Sequence, residues 1–229
     1  MNSNWLAKSW AVFQKEWRSE MRSKHGLYTS ILFSLLAVIA MSFAAFGSPP
    51  KPDIAAGMLS VTFLFSAVVA LPRTFLAEDE NNTFDMIRLA AEPSVLYFGK
   101  LMYNGVQSLL SCLVLGVVFV GVTGTSVRDP LLFASACVLT STCVAGGVSL
   151  CGAIVIGSDN RWLLGTAAAV PVMLPQIFLG MGALRTSFGS GMATNGWSAA
   201  IGLAGWSLVL WSAGPVLAPS AWKTDNSIG

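Results

Sequence analysis

The run Leu101–Val127, LMYNGVQSLLSCLVLGVVFVGVTGTSV, contains no charged residue. A helix needs about 20 apolar residues to cross the hydrocarbon core of a bilayer, so this run is long enough to span one. Five other stretches are equally free of Asp, Glu, Lys and Arg: Leu27–Ser48, Ile54–Pro72, Pro130–Ser158, Trp162–Leu184 and Thr186–Trp222. The composition agrees. Of 229 residues, 54% are hydrophobic and 10% charged, whereas a soluble domain carries about 25% charged residues. Too few hydrated groups are available to cover a globular surface, and a disordered chain requires the opposite balance. The sequence predicts an all-α polytopic membrane protein with six transmembrane helices, near 27–47, 54–72, 101–123, 131–157, 162–184 and 198–217.

The few charges between these runs set an orientation. Lys8, Lys15, Arg18, Arg22 and Lys24 precede the first span, Arg73, Arg88 and Lys100 lie between the second and third, Arg161 precedes the fifth, and Lys223 follows the sixth. With six spans these all fall on one side, leaving only Lys51, Arg128 and Arg185 on the other. Positive charge gathers on the cytoplasmic side, which predicts that both termini are cytoplasmic. Trp162, Trp197 and Trp222 fall near span ends, where interfacial aromatics belong.

Residues 1–26 read as an amphipathic cytoplasmic-side helix, residues 27–217 as the six-span domain, and residues 218–229 as a cytoplasmic tail. Leu6, Trp10, Phe13, Trp17 and Met21 share one helical face, and Lys8, Lys15 and Arg22 another. Such a helix lies in the membrane interface, either as a plain anchor or as an elbow that also touches a cytoplasmic partner. The segment is too long and too mixed in charge for a removable signal peptide. Ser48–Asp53, rich in proline, makes a tight hairpin of the first two spans. Loop 73–100 gathers five of the eleven acids, Glu78, Asp79, Glu80, Asp85 and Glu92. Asn82 can cap a short helix there, with Phe84, Ile87 and Ala91 on one face and Pro93 ending it. It reads either as a solvated connection or as a docking element.

Within the spans, Ala145, Ser149, Ala153 and Gly157 make a small-residue stripe at four-residue spacing, read as helix packing. Pro171 and Pro175 interrupt span five, predicting a helix break or re-entrant turn. Segment 185–197 reads as a polar, glycine-bearing and mobile outer connection. The four cysteines lie inside spans without CxxC spacing and read as buried thiols, and the lone His25 reads as an interfacial residue. There is no P-loop, HExxH or GxSxG motif, no intramembrane carboxylate pair for a proton relay, and no basic patch for nucleic acid. The sequence therefore predicts no catalytic residue, no metal and no cofactor bound by this chain. Any work it performs is driven by a partner.

The stretch Arg73–Lys100, RTFLAEDENNTFDMIRLAAEPSVLYFGK, resembles the cytoplasmic loop of the cytochrome c maturation protein B family, haem-exporter permeases of ABC transporters. Asp79, Pro93 and Lys100 match that family's acidic cluster, proline and lysine. Gly152-Ala153-Ile154, Leu163-Leu164, Pro171, Pro175 and Phe178-Leu179-Gly180 are similar to its span four-to-five region, and Lys15–Glu20 to its basic entry helix. The chain departs from the pattern at Asn82-Thr83, where a glycine is usual, and at Ser111–Val114, where the family carries a proline. The resemblance implies an ABC-2-type permease in a bacterial inner membrane. Glu78, Asp79, Glu80, Phe84, Asp85, Ile87, Arg88 and Pro93 would form its coupling helix to a cytoplasmic ABC ATPase, which holds the ATP. Further implied partners are a second permease copy, a haem-handling membrane protein, a small helical membrane subunit and a periplasmic haem chaperone. Haem would be handled by the wider complex. Another cargo (lipid, polysaccharide or drug) or a non-transporting scaffold would fit the same residue pattern.

Overall fold

Proline opens three of the helices. Pro52, Pro93 and Pro130 each begin one, at a position where the missing N–H has no intrahelical partner and the fixed φ already suits a helix. The computed structural model describes residues 3–23, 25–44, 48–70, 92–155 and 161–221. They form α1 (Ser3–Ser23), α2 (His25–Ala44), α3 (Pro52–Ala70), α4 (Pro93–Thr123), α5 (Pro130–Val155), α6 (Arg161–Ser187) and α7 (Ala193–Ala221). No strand occurs among the described residues.

α4, α5, and the stretches Ala167–Ser187 of α6 and Ala193–Leu217 of α7 are long and apolar enough to cross a membrane. The apolar stretches described in α2 and α3, Ser34–Phe43 and Pro52–Ser66, are shorter. α5 sits at the centre and packs against α4, α6 and α7. A continuous core joins Val38 of α2, Leu59 and Phe63 of α3, Leu115 and Phe119 of α4, Leu132 of α5, Leu184 of α6 and Ala200 of α7. Outside it, Phe43, Val117, Phe178, Ile201 and Leu208 are exposed. An apolar exterior of this extent suits a lipid solvent rather than water.

Close helix approach is bought with glycine. A Cβ on Gly146 of α5 would lie 2.8 Å from Leu210 Cβ and 3.0 Å from Trp211 Cδ1 of α7. At the same contact Trp211 Nε1 donates to Thr142 O at 2.9 Å and Cys143 Sγ to Leu203 O at 3.3 Å. Where lipid already solvates apolar side chains, such packing and hydrogen bonding hold helices together. All four cysteines are buried and free.

Three connections meet at one end of the bundle. Gly124, at φ 67°, ends α4 and lies near Pro49 of the α2–α3 connection. Arg128 and Asp129 donate their N–H groups to Ser187 O, Ser190 Oγ donates to Asp53 Oδ1 at 3.0 Å, and Asp129 Oδ1 accepts from Leu132 N to cap α5. The connection expected to be a loose 185–197 segment is therefore a short hydrogen-bonded turn between α6 and α7, with Gly189 and Gly191 at positive φ.

Three expectations change. Span three, placed at 101–123, belongs to a helix that begins at Pro93. Lys100 had marked the edge of the apolar run, but a lysine is a good helix former and does not end a helix, and this one is paired with Glu16 inside α4. Pro93, read only as the end of a preceding helix that lies outside the described residues, also opens α4, after Glu92 in an extended conformation. α6 continues through Pro171 and Pro175 without the expected break. Each proline removes one hydrogen bond, a loss that spanning helices tolerate through local adjustment and nearby polar groups. The other spans shift by a few residues: α2 begins at His25, α3 at Pro52, and α7 covers 193–221.

Candidate functional site

α4 is 31 residues long, about 46 Å at 1.5 Å per residue, against a hydrocarbon core of about 30 Å. Its C-terminal end at Gly124 lies among the turns gathered at one end of the bundle, and its first three turns are at the other. Against those first three turns lies α1. Trp5 Nε1 donates to Ser94 Oγ at 3.4 Å, and its ring sits 5.1 Å from that of Phe98. Ser9 is buried, and Gly99 faces it so closely that a Cβ there would stand 2.8 Å from Ser9 O and 2.5 Å from Val12 Cβ.

One turn further along α1 stands Glu16. Its Oε1 accepts from Lys100 Nζ at 3.2 Å and from Lys15 Nζ at 3.2 Å. The Lys100 side chain is fully enclosed, and that of Glu16 is 12% exposed. An ammonium cannot be taken out of water at tolerable cost without such a counter-charge, and removing one member of a buried pair typically costs about 3–5 kcal/mol. Beyond it, Glu20 lies beside Tyr103. Trp5, Ser9, Val12, Glu16 and Glu20 thus make one docking stripe along α1, following α4 in the same direction. The neighbouring apolar stripe faces outward: Leu6, Trp10 and Met21 are exposed, and Trp10, Phe13 and Trp17 stack at 4.8 and 6.2 Å.

From Lys100 the polar register continues into the bundle. Asn104 Nδ2 donates to Ser149 Oγ of α5 at 2.8 Å, and Gln107 and Ser111 are buried further along. Ala145, Ser149 and Ala153 of the small-residue stripe are all fully buried. Ala153 packs with Leu96, Tyr97 and Leu101 of α4, and Tyr97 lies flush on Gly214 of α7, leaving no room for a Cβ there. Gly157 lies outside the described residues.

Of the predicted coupling residues, Glu78, Asp79, Glu80, Phe84, Asp85, Ile87 and Arg88 also lie outside the described residues. Pro93 is the first residue of α4, so the segment they belong to leads directly into the docked turns. Sequence reasoning matched Lys100 and the Lys15–Glu20 run to the family, but did not foresee that Glu16 and Lys100 pair or that Asn104 bonds across to α5. The signal was present as Lys100, Tyr103, Asn104, Gln107 and Ser111, polar groups at helical spacing running into an apolar span. Among the described residues, no group of three or more His, Cys, Asp or Glu side chains is placed to hold a metal ion.

Long apolar helices, an apolar exterior and a charged junction confined to one end define a polytopic helical membrane protein. The junction joins α1 to α4 through an ion pair, a hydrogen bond and close packing at Gly99. A family model described as CcmB protein matches residues 7–222, and the chain belongs to that family. It is a family of ABC-transporter permeases acting in haem handling for cytochrome c biogenesis. A search of curated proteins found no match.

Proposed function

We propose that the chain is the permease subunit of an ABC complex delivering haem for cytochrome c maturation, with ATP hydrolysed by a separate cytoplasmic subunit. The observation that carries this reading is the family match over residues 7–222. In this reading α2 to α7 are six spans of the bacterial inner membrane, with α1 and both termini cytoplasmic. The ten-to-three split of Lys and Arg supports that orientation, as does the gathering of the α2–α3, α4–α5 and α6–α7 turns at the end away from α1. Residues 73–100 bear on the ATPase through Glu78, Asp79, Glu80, Phe84, Asp85, Ile87 and Arg88, with Pro93 starting the rigid lever.

The mechanism is a population shift. Closure of the ATPase displaces the segment, and the bundle is biased between two packings according to how differently they contact it. The outcome is release of a haem-loaded periplasmic chaperone. The chain itself binds no cofactor: haem is held by a separate membrane protein and a small helical subunit, and a second permease copy completes the assembly. Replacing Glu78, Asp79 and Asp85 together by Ala is expected to uncouple ATP hydrolysis from chaperone release while the subunits still co-purify. Undiminished release in that variant overturns the coupling role of these acids.

A further inference from the structure

Glu16 and Lys100 stand apart from the other charges of the chain. They are 84 positions apart in sequence, one of them is wholly enclosed, and they join two helices that touch at several successive levels. Trp5 meets Ser94 and Phe98, Ser9 and Val12 meet Gly99, Glu16 meets Lys100, and Glu20 meets Tyr103. The contacts begin two residues after Glu92 and end where Asn104 hands on to Ser149 of α5. Apolar packing alone would let α1 slide or lift away, since its other face is already suited to lipid. A charge pair with one geometry fixes its register, and buried polar pairs are best attested in that role.

We propose that α1 is a strap latched to the start of α4 by Glu16 and Lys100, the two moving as one body, and that the latch passes displacement of the preceding segment into the bundle. The second half rests on the coupling reading above; the first half does not. Glu16 and Lys100 are positioning residues. They hold Ser94–Tyr103 rigid against α1, so that a push arriving before Glu92 moves Asn104, and through Ser149 the central α5, instead of bending the first turns of α4.

Cysteines at Trp5 and Ser94, joined by a short bifunctional thiol reagent that replaces the reach of the lost indole, read the latch in native membranes, where the four natural cysteines are buried. Glu16→Gln is expected to lower the rate of W5C–S94C cross-linking at least threefold, and the exchange E16K with K100E to restore it. An unchanged rate in Glu16→Gln overturns the latch. In the assembled complex, Glu16→Gln with unlinked W5C and S94C is expected to lose most ATP-driven chaperone release, and bridging the cysteine pair with the same reagent to recover it at least severalfold. A purely structural role in folding would not respond to closing that bridge afterwards, so absence of recovery overturns the transmitting role. Should Glu16→Gln fail to accumulate, the exchange variant decides: the latch requires it to accumulate and cross-link like the native pair. If no ATPase depends on the unsubstituted chain, the coupling reading falls, while the cross-linking arm still decides the latch.

Discussion

At the scale of single residues, the spans are held by a small number of polar contacts among many apolar ones. Asn104 and Ser149 are joined at 2.8 Å between α4 and α5. Interhelical hydrogen bonds in membranes contribute about 0.6 kcal/mol on average and up to about 1.7, because the separated helices find other partners. Asn104→Ala and Ser149→Ala should therefore each lower stability by about 1 kcal/mol, with the double variant no worse than either single one. Unfolding midpoints in detergent across that double-mutant cycle check the coupling. Ser149 was legible in the sequence as part of a small-residue stripe. Its bond to Asn104 was not, because periodicity places a residue on a face without saying which residue meets it across 45 positions.

At the scale of elements, α1 illustrates what a pattern of residues can and cannot reveal. Leu6, Trp10, Phe13, Trp17 and Met21 announced an amphipathic helix, and α1 is one. The adjacent stripe that contacts protein, Ser9, Val12, Glu16 and Glu20, looks polar and solvated in sequence and is instead the docked face. The same blindness misplaced the start of α4: counting charges locally makes Lys100 the edge of a span, whereas the helix runs through it and its carboxylate partner comes from another helix. Gly99 is where the two elements come closest. Gly99→Val is expected to pry α1 away, at about 1–3 kcal/mol for an overpacked contact. Faster proteolysis within residues 3–23 in membranes, with the rest of the chain intact, would be the sign of it. Equal protection in the variant and the native chain would mean that the close approach is dispensable.

At the scale of the whole molecule, the polytopic helical class was legible from charge-free runs alone, because lipid leaves a span no other composition. The continuity of α6 was not legible. Pro171 and Pro175 each weaken a helix locally, and the sequence alone does not say whether the remaining hydrogen bonds and the packing on α5 and α7 carry it through. The six-span orientation makes a direct prediction. A cysteine at Ser190 should be labelled by an impermeant maleimide from outside intact cells, and one at Lys15 only after the membrane is opened. Labelling of both from one side would exclude an odd number of spans between α1 and the α6–α7 turn, and with it the proposed topology reading of the ten-to-three charge split.

The distance in sequence between Glu16 and Lys100 also has a meaning for biosynthesis. When α1 leaves the ribosome, the residues that will hold it have not been made. At about 5–20 residues per second, the 84 positions that separate the pair take roughly 4–17 s to translate. Throughout that interval α1 carries an uncovered stripe with Glu16 and Glu20 beside a face of tryptophans. Its only available resting place is the membrane surface, where Lys8, Lys15, Arg18 and Arg22 can meet anionic headgroups. The exposed aromatic face is thus a nascent chain's temporary berth, keeping α1 in reach and in two dimensions until α4 emerges to claim it.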